Sequence, residues 1–280
     1  MMIHSRLHFY CFAAAMIMQW VVIGSLDSQP ANAQTAEMKP LKIYIMAGQS
    51  NMEGHAHARV LDYLGDDPET ADLLTKMKAD DGSYRKIKDT WVSYLTGENG
   101  RIDRGNQEVV GQLSVGFGNQ GGREPGQPGQ KIGPELAFGI TMQEAIHQPI
   151  LIIKTAWGGQ SLHTDFRSPS SGPYEQTESN AKRFDTEAKR QLIKEKTGRR
   201  YHQMIDHIRH VLDDLPRVCP QYDAKQGYEL AGFIWFQGFN DLVDRNTYPN
   251  RDQPGGYSLY TRCLANFIRD VREVLKAPRL

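Results

Sequence analysis

Cysteine is scarce in this 280-residue chain. Cys11, Cys219 and Cys263 are the three it has, too few to staple a small loop-rich fold, so a hydrophobic core must hold the protein together. An excess of charge of either sign is also missing. The 33 basic and 33 acidic side chains cancel, so no overall field draws the chain to nucleic acid or to an anionic membrane. With 39% hydrophobic and 24% charged residues, the composition is not that of a disordered or collagen-like polymer, and it can fill a substantial globular core.

Long apolar runs are rare, and the longest lies at the N-terminus. A start of Met1-Met2-Ile3-His4-Ser5-Arg6 leads into an apolar stretch from about Phe9 to Ile23, then to Ala31-Asn32-Ala33. A basic start, a short apolar run and a small-residue site predict a secretory signal peptide over 1–33, removed on export to the periplasm or the outside. The stretch is short for a membrane span and Gln19 interrupts it, so no membrane association is expected once the signal is gone. Cys219 and Cys263 remain in an oxidising compartment, where a disulfide and two buried thiols are both open.

The rest, 34–280, reads as one domain of alternating strands and helices. Leu41 to Ala47, Ile150 to Lys154 and Leu230 to Phe236 are nearly continuous apolar runs, as strands buried on both faces of a parallel sheet would be. Between them, Gly133-Pro134-Glu135-Leu136 opens a helix running to about His147. Tyr201, Met204, Ile205, Ile208, Val211, Leu212 and Leu215 stripe a second helix stopped by Pro216. Tyr260, Leu264, Phe267, Ile268, Val271 and Leu275 stripe a third. Strands alternating with helices predict a three-layer, doubly wound α/β fold. The segment 55–132 has no clear period, and 11 of the 26 glycines sit between Gly97 and Gly133. It is expected to be an inserted loop region lining a cleft beyond the strand ends. Arg199-Arg200 and the charged run from Lys182 to Lys196 read as a solvated helix face.

Each predicted strand ends in a polar turn: Gly48-Gln49-Ser50-Asn51-Met52, Trp157-Gly158-Gly159-Gln160-Ser161 and Gln237-Gly238-Phe239-Asn240-Asp241. In a parallel sheet these turns converge on one edge. Ser50 is placed to expose a nucleophile, Gly159 to bring a backbone N–H close to a ligand, and Asn240 to add an amide donor, together an oxyanion hole for acyl transfer. Gln49, Gln160, His163 and Gln237 are candidate substrate contacts beside them. Asp241 reads as a brace for its turn, and Trp157 and Trp235 as packing residues.

These turns resemble, in order, the blocks of the sialate O-acetylesterase-like carbohydrate esterases of the SGNH hydrolase superfamily. Gly48 to Met52 is similar to the first block, Trp157-Gly158-Gly159-Gln160-Ser161-Leu162 to the glycine block, and Gly238-Phe239-Asn240-Asp241 to the Gly-x-Asn-Asp block. Gly133 to Gly139 also resembles a helix start of that branch. The resemblance implies a flavodoxin-like fold, a serine nucleophile at Ser50, oxyanion donors from the N–H groups of Ser50 and Gly159 and from Asn240, and acetylated carbohydrate as substrate, with no metal and no cofactor.

One element of that family pattern has no counterpart. The family carries an Asp-x-x-His near its C-terminus, and no Asp-x-x-His occurs in this chain. Ala277-Pro278-Arg279-Leu280 reads as the lead-in to another strand, so the expectation is a C-terminally incomplete fold and an esterase impaired for want of its base. His55, His57 and His163, the last two residues from Asp165, are candidate substitutes. The alternative is a non-catalytic protein that binds carbohydrate.

Overall fold

The computed structural model describes residues 39–97, 106–119 and 129–280. The predicted signal segment with Cys11 lies outside the described residues, as do 98–105 and 120–128 of the predicted insertion. In chain order the elements are β1 (Leu41–Gly48), α1 (Ser50–Glu53), β2 (Ala56–His57), a 3-10 helix (Ala58–Asp66), α2 (Ala71–Met77), β3 (Thr90–Gly97), β4 (Asn106–Gln112) and β5 (Lys131–Ile132). Then come α3 (Pro134–Ile146), β6 (Ile150–Ala156), α4 (Glu178–Arg183), α5 (Glu187–Lys196), α6 (Arg199–Asp213), α7 (Leu215–Val218), β7 (Tyr228–Phe236), α8 (Phe239–Val243) and α9 (Ser258–Val274).

The fold is mixed α/β, with a mostly parallel sheet flanked by helices. Its strand order is β4-β3-β6-β1-β7. The three apolar runs form β1, β6 and β7, which lie side by side and parallel, Ile43 opposite Leu151 on one flank and Leu230 on the other. Their carboxyl ends therefore share one edge, and the three polar turns meet there. Successive side chains alternate between two cores. Ile43, Ile45, Leu151 and Ile153 pack with Tyr201, Met204 and Ile208 of α6 and with Phe267 and Val271 of α9. On the other face Tyr44, Met46 and Ile152 pack with Leu136 and Ile140 of α3, Leu61 and Met77. The stripe read from Tyr201 to Val211 is the buried face of α6, but α6 ends at Asp213 and Leu215 opens α7. On α9 the buried face is centred on Cys263, Phe267 and Val271, and Ile268 of the predicted stripe is exposed.

The structure corrects the reading of 55–132 as a loop region. β3 joins the central sheet parallel to β6, and β4 runs antiparallel against it. Val92, Ser93 and Tyr94 are fully buried, so this segment supplies part of the core. Its many glycines and lack of a long apolar run hid a strand that buries polar Thr90, Ser93 and Thr96 alongside the hydrophobic residues. β7 is an outer strand, partly exposed along its length, with Tyr228 and Phe236 open to solvent. Cys219 and Cys263 are buried free thiols, Cys263 within α9.

Candidate active site

Backbone contacts too close for any side chain build the site. A Cβ on Gly48 would lie 2.2 Å from the Phe236 carbonyl oxygen, so glycine alone lets β1 and β7 meet there. The Gln49 N–H donates to Phe236 O at 3.2 Å and the Trp157 N–H to Gly48 O at 3.2 Å, which ties the three strand ends together. Ser50 then opens α1. A Cβ on Gly158 would fall 2.9 Å from Glu53 Oε2 and 3.9 Å from Ser50 Cβ, so the glycine block packs directly against the serine turn. Gly159 has a left-handed backbone, φ +72°, and its missing Cβ would stand 4.0 Å from Asn240 Nδ2. Ser50, Gly159 and Asn240 are thus brought together. The N–H groups of Ser50 and Gly159 donate to no other backbone group among the described residues.

A buried amide network orients Asn240. Gln49 Nε2 donates to Asn240 Oδ1 at 3.0 Å, which leaves Nδ2 free to face Gly159. Gln49 Oε1 accepts from the Asn240 N–H at 3.2 Å and from Gln237 Nε2 at 3.1 Å. Gln49 is only 2% exposed, so its side chain points into the protein and the turn is locked from below. Asp241 is the brace the sequence suggested. Its carboxylate accepts the Leu162 and His163 N–H groups at 2.8 and 3.1 Å, Gln237 Nε2 at 2.6 Å and the Tyr248 hydroxyl at 2.8 Å, which fastens the Asn240 turn to the glycine block.

Histidines take three different places. His163 is buried against the rings of Tyr174 and Tyr248, with Thr164 Oγ1 3.2 Å from its Nδ1. Burial, and then nearby Arg167, push its pKa below the usual histidine value. His57 pairs with Gln130 at 3.0 Å. His55 is half-exposed, and its Nε2 lies 3.2 Å from Glu53 Oε2, a carboxylate that is itself 1% exposed. Asp165, buried, accepts the Ser161 N–H and hydroxyl. Among the described residues no group of three or more His, Cys, Asp or Glu is placed to hold a metal ion.

Two buried cations lie behind the site. Lys154 escaped the sequence reading, and Arg200, read as part of a solvated helix face, is only 2% exposed because its guanidinium packs on Trp157 and hydrogen-bonds buried amides. Lys154, in the middle of β6, donates to Glu135 Oε2 at 2.5 Å, Phe117 O at 2.7 Å and Glu53 O at 3.0 Å, and lies 4.3 Å from the Tyr94 ring centre. A lysine inside an otherwise apolar strand was the available signal. Arg200 of α6 lies 4.5 Å over the Trp157 ring and donates to Gln160 Oε1 at 3.2 Å and to Asn106 and Gln203. Burial pulls its pKa down to about 10. Gln160 in turn lines a cleft of about 870 Å³ that opens beside Gly159 and Asn240. The lining includes Arg183, Leu192 and Lys196, so α4 and α5 form part of the cleft as well as a solvated face.

A strand-end serine beside glycine and amide donors, next to a cleft, is the arrangement of a hydrolase acting on carbonyl compounds. The chain belongs to the family described as carbohydrate esterase, sialic acid-specific acetylesterase, whose model matches residues 40–280. Among solved structures it is similar to a protein from Arabidopsis thaliana, with 16% identity, 86% of this chain and 72% of that chain covered, and a TM-score of 0.40. It is also similar to a carbohydrate acetylesterase from Xanthomonas citri, with 14% identity, 79% and 38% covered, and a TM-score of 0.36. No curated protein matches the chain.

Proposed function

We propose that the protein is an exported SGNH-type serine esterase that removes O-acetyl groups from carbohydrate. The observation that carries this reading is the Asn240 amide, turned by Gln49 so that its N–H₂ faces Gly159 next to Ser50. In the reaction, Ser50 Oγ attacks the acetyl carbonyl carbon and the carbonyl oxygen gains negative charge. Ser50 N–H, Gly159 N–H and Asn240 Nδ2 donate to that oxygen. Collapse breaks the ester bond, the sugar hydroxyl leaves with a proton, and water then releases acetate from the acetylated serine.

The step needs a base for the Ser50 proton. Among the described residues no side chain hydrogen-bonds the Ser50 hydroxyl, which favours a second reading, a protein that holds acetylated carbohydrate without turning it over. Acetate release from a small soluble acetyl ester and from acetylated polysaccharides, neutral and acidic, separates the two. On the esterase reading, the full chain releases acetate, and Ser50→Ala lowers kcat by several orders of magnitude with binding retained. Binding without acetate release by the unmutated chain overturns it.

A further inference from the structure

The cleft beside Gly159 and Asn240 is unusual for a protein with no net charge. Its volume, about 870 Å³, is near the top of the roughly 300–1,000 Å³ range of ligand pockets, space for several sugar units rather than one. Arg183 and Lys196 stand on the α4–α5 wall and Arg245 on the wall beyond α8. Among the described residues none of these three takes part in an ion pair; Arg183 lies 5.7 Å from the Phe184 ring. Lys189, the remaining basic residue of the lining, is paired with Asp185 at 2.8 Å.

The acidic residues of the lining are already occupied. Asp165 is buried and accepts two hydrogen bonds from Ser161, and burial raises its pKa above the usual carboxylate value. Asp244 accepts from the Asn246 and Thr247 N–H groups at 3.0 and 3.2 Å and from the Thr247 hydroxyl at 2.7 Å. Arg183, Lys196 and Arg245 therefore line the cleft outside any ion pair among the described residues. Lys196 and Asp165 feel each other's charge, which opposes the rise of the Asp165 pKa, and Asp244 is held by its own turn. Across the chain 33 positive and 33 negative groups cancel, so this local excess is a matter of placement. A single acidic sugar offers one carboxylate, which one cation can hold. Several cations lining one cleft of this volume suit a chain with acidic groups on successive units.

Resting on the esterase reading, we propose that the cleft binds an acetylated anionic polysaccharide, with Arg183, Lys196 and Arg245 holding its acidic groups while Gly159 and Asn240 take the acetyl carbonyl. The acidic groups are carboxylates of a polyuronate or sulfate esters. Both carry negative charge that a guanidinium or an ammonium can hold.

Binding to unacetylated polymers tests this without turnover. Full-length protein is titrated with polygalacturonate, chondroitin sulfate and neutral xylan at low and at 0.5 M salt, an ionic strength that screens exposed pairs. The expected result is binding of at least one anionic polymer and not of xylan, weakened by salt. The triple variant Arg183→Gln, Lys196→Gln, Arg245→Gln should bind about tenfold more weakly, as loss of three partly exposed ionic contacts implies. A variant losing three charges away from the cleft, Lys88→Gln, Lys225→Gln, Lys276→Gln, should bind as before. Which anionic polymer binds distinguishes carboxylate from sulfate. Xylan binding as tight as the anionic polymers, no binding of either anionic polymer, or equal weakening in both triple variants overturns the proposal. Failure of the esterase reading is seen separately, as absence of acetate release by a protein that still binds.

Discussion

Gln49 shows how a residue can sit in the right turn and face the wrong way for the role first given to it. A polar residue after a strand reads as a substrate contact because the sequence gives its position in the turn but not the direction of its side chain. In the fold it is 2% exposed and its amide spans two neighbours, donating to Asn240 Oδ1 and accepting from the Asn240 and Gly238 N–H groups. Ser50, Gly159 and Asn240 were legible because each is a residue type with one distinctive property in a turn: a hydroxyl, a missing Cβ, an amide. Replacing Gln49 by Glu keeps the shape but removes the donor, so the Asn240 amide loses the contact that points Nδ2 at Gly159. Asn240→Ala should cost roughly 10²–10³ in kcat, the usual loss for one oxyanion donor. Gln49→Glu should cost a large part of the same factor. Steady-state rates on a soluble acetyl ester, with melting temperatures alongside, check this. If Gln49→Glu leaves kcat unchanged, Gln49 only packs the turn.

β6 was predicted as a buried strand, and it is one along all seven residues. What the apolar pattern could not convey is that Lys154 belongs to that burial. Lys154 and Glu135 are both 0% exposed, and the ammonium is shared among α3, the carbonyl at the end of α1 and the carbonyl of Phe117. Four segments therefore meet at one charge beneath the serine turn, and Gly133 is needed there because a Cβ would fall 2.5 Å from Glu135 Oε2 and 2.9 Å from Lys154 Nζ. β3 was missed for a related reason, since it buries polar residues that find partners only in the folded sheet. Thr96 Oγ1, for example, donates to Ala156 O at 2.9 Å. Breaking a buried pair by removing one partner typically costs about 3–5 kcal/mol, because the other charge is stranded. Lys154→Met should therefore destabilise the protein by about that amount, whereas Lys154→Met combined with Glu135→Leu should recover most of the loss. Urea denaturation of both variants gives the comparison. A double variant no more stable than the single one would show that the carbonyl contacts, rather than the pairing with Glu135, dominate.

At the scale of the molecule, the order of the three turns along the chain was enough to anticipate that they meet, because parallel neighbouring strands place their carboxyl ends on one edge. How the far side of the sheet is held was not legible, because it depends on a polar cluster assembled from four elements. His207 of α6 is 5% exposed and its Nε2 lies 2.9 Å from Ser93 Oγ on β3. Ser93 donates its single proton to Glu108 Oε1 on β4 at 2.7 Å, and Arg217 of α7 holds both carboxylate oxygens at 2.7 and 2.9 Å. The proton between His207 and Ser93 must then sit on Nε2, so the imidazole donates. Burial lowers its pKa to about 4; Glu108 opposes that shift, whereas His210 and Arg217 add to it. Burial raises the Glu108 pKa, but the hydrogen bonds from Arg217 and Ser93 outweigh it and hold the group below its ordinary value. Unfolded histidine titrates near 6.5, so between about pH 6.5 and 4 the unfolded chain binds a proton that the folded chain refuses. Stability contributed by neutral His207 is therefore fully present above pH 6.5 and falls as the pH drops toward 4, by about 3 kcal/mol in all. The depressed Glu108 pKa acts in the same direction, its contribution being lost as the pH falls below about 4.5. His207→Gln keeps a donor for Ser93 and removes the titration, so its urea midpoint should decline less than that of the unmutated protein between pH 7 and pH 4.5. Parallel declines in the two proteins would place the acid sensitivity elsewhere in the fold.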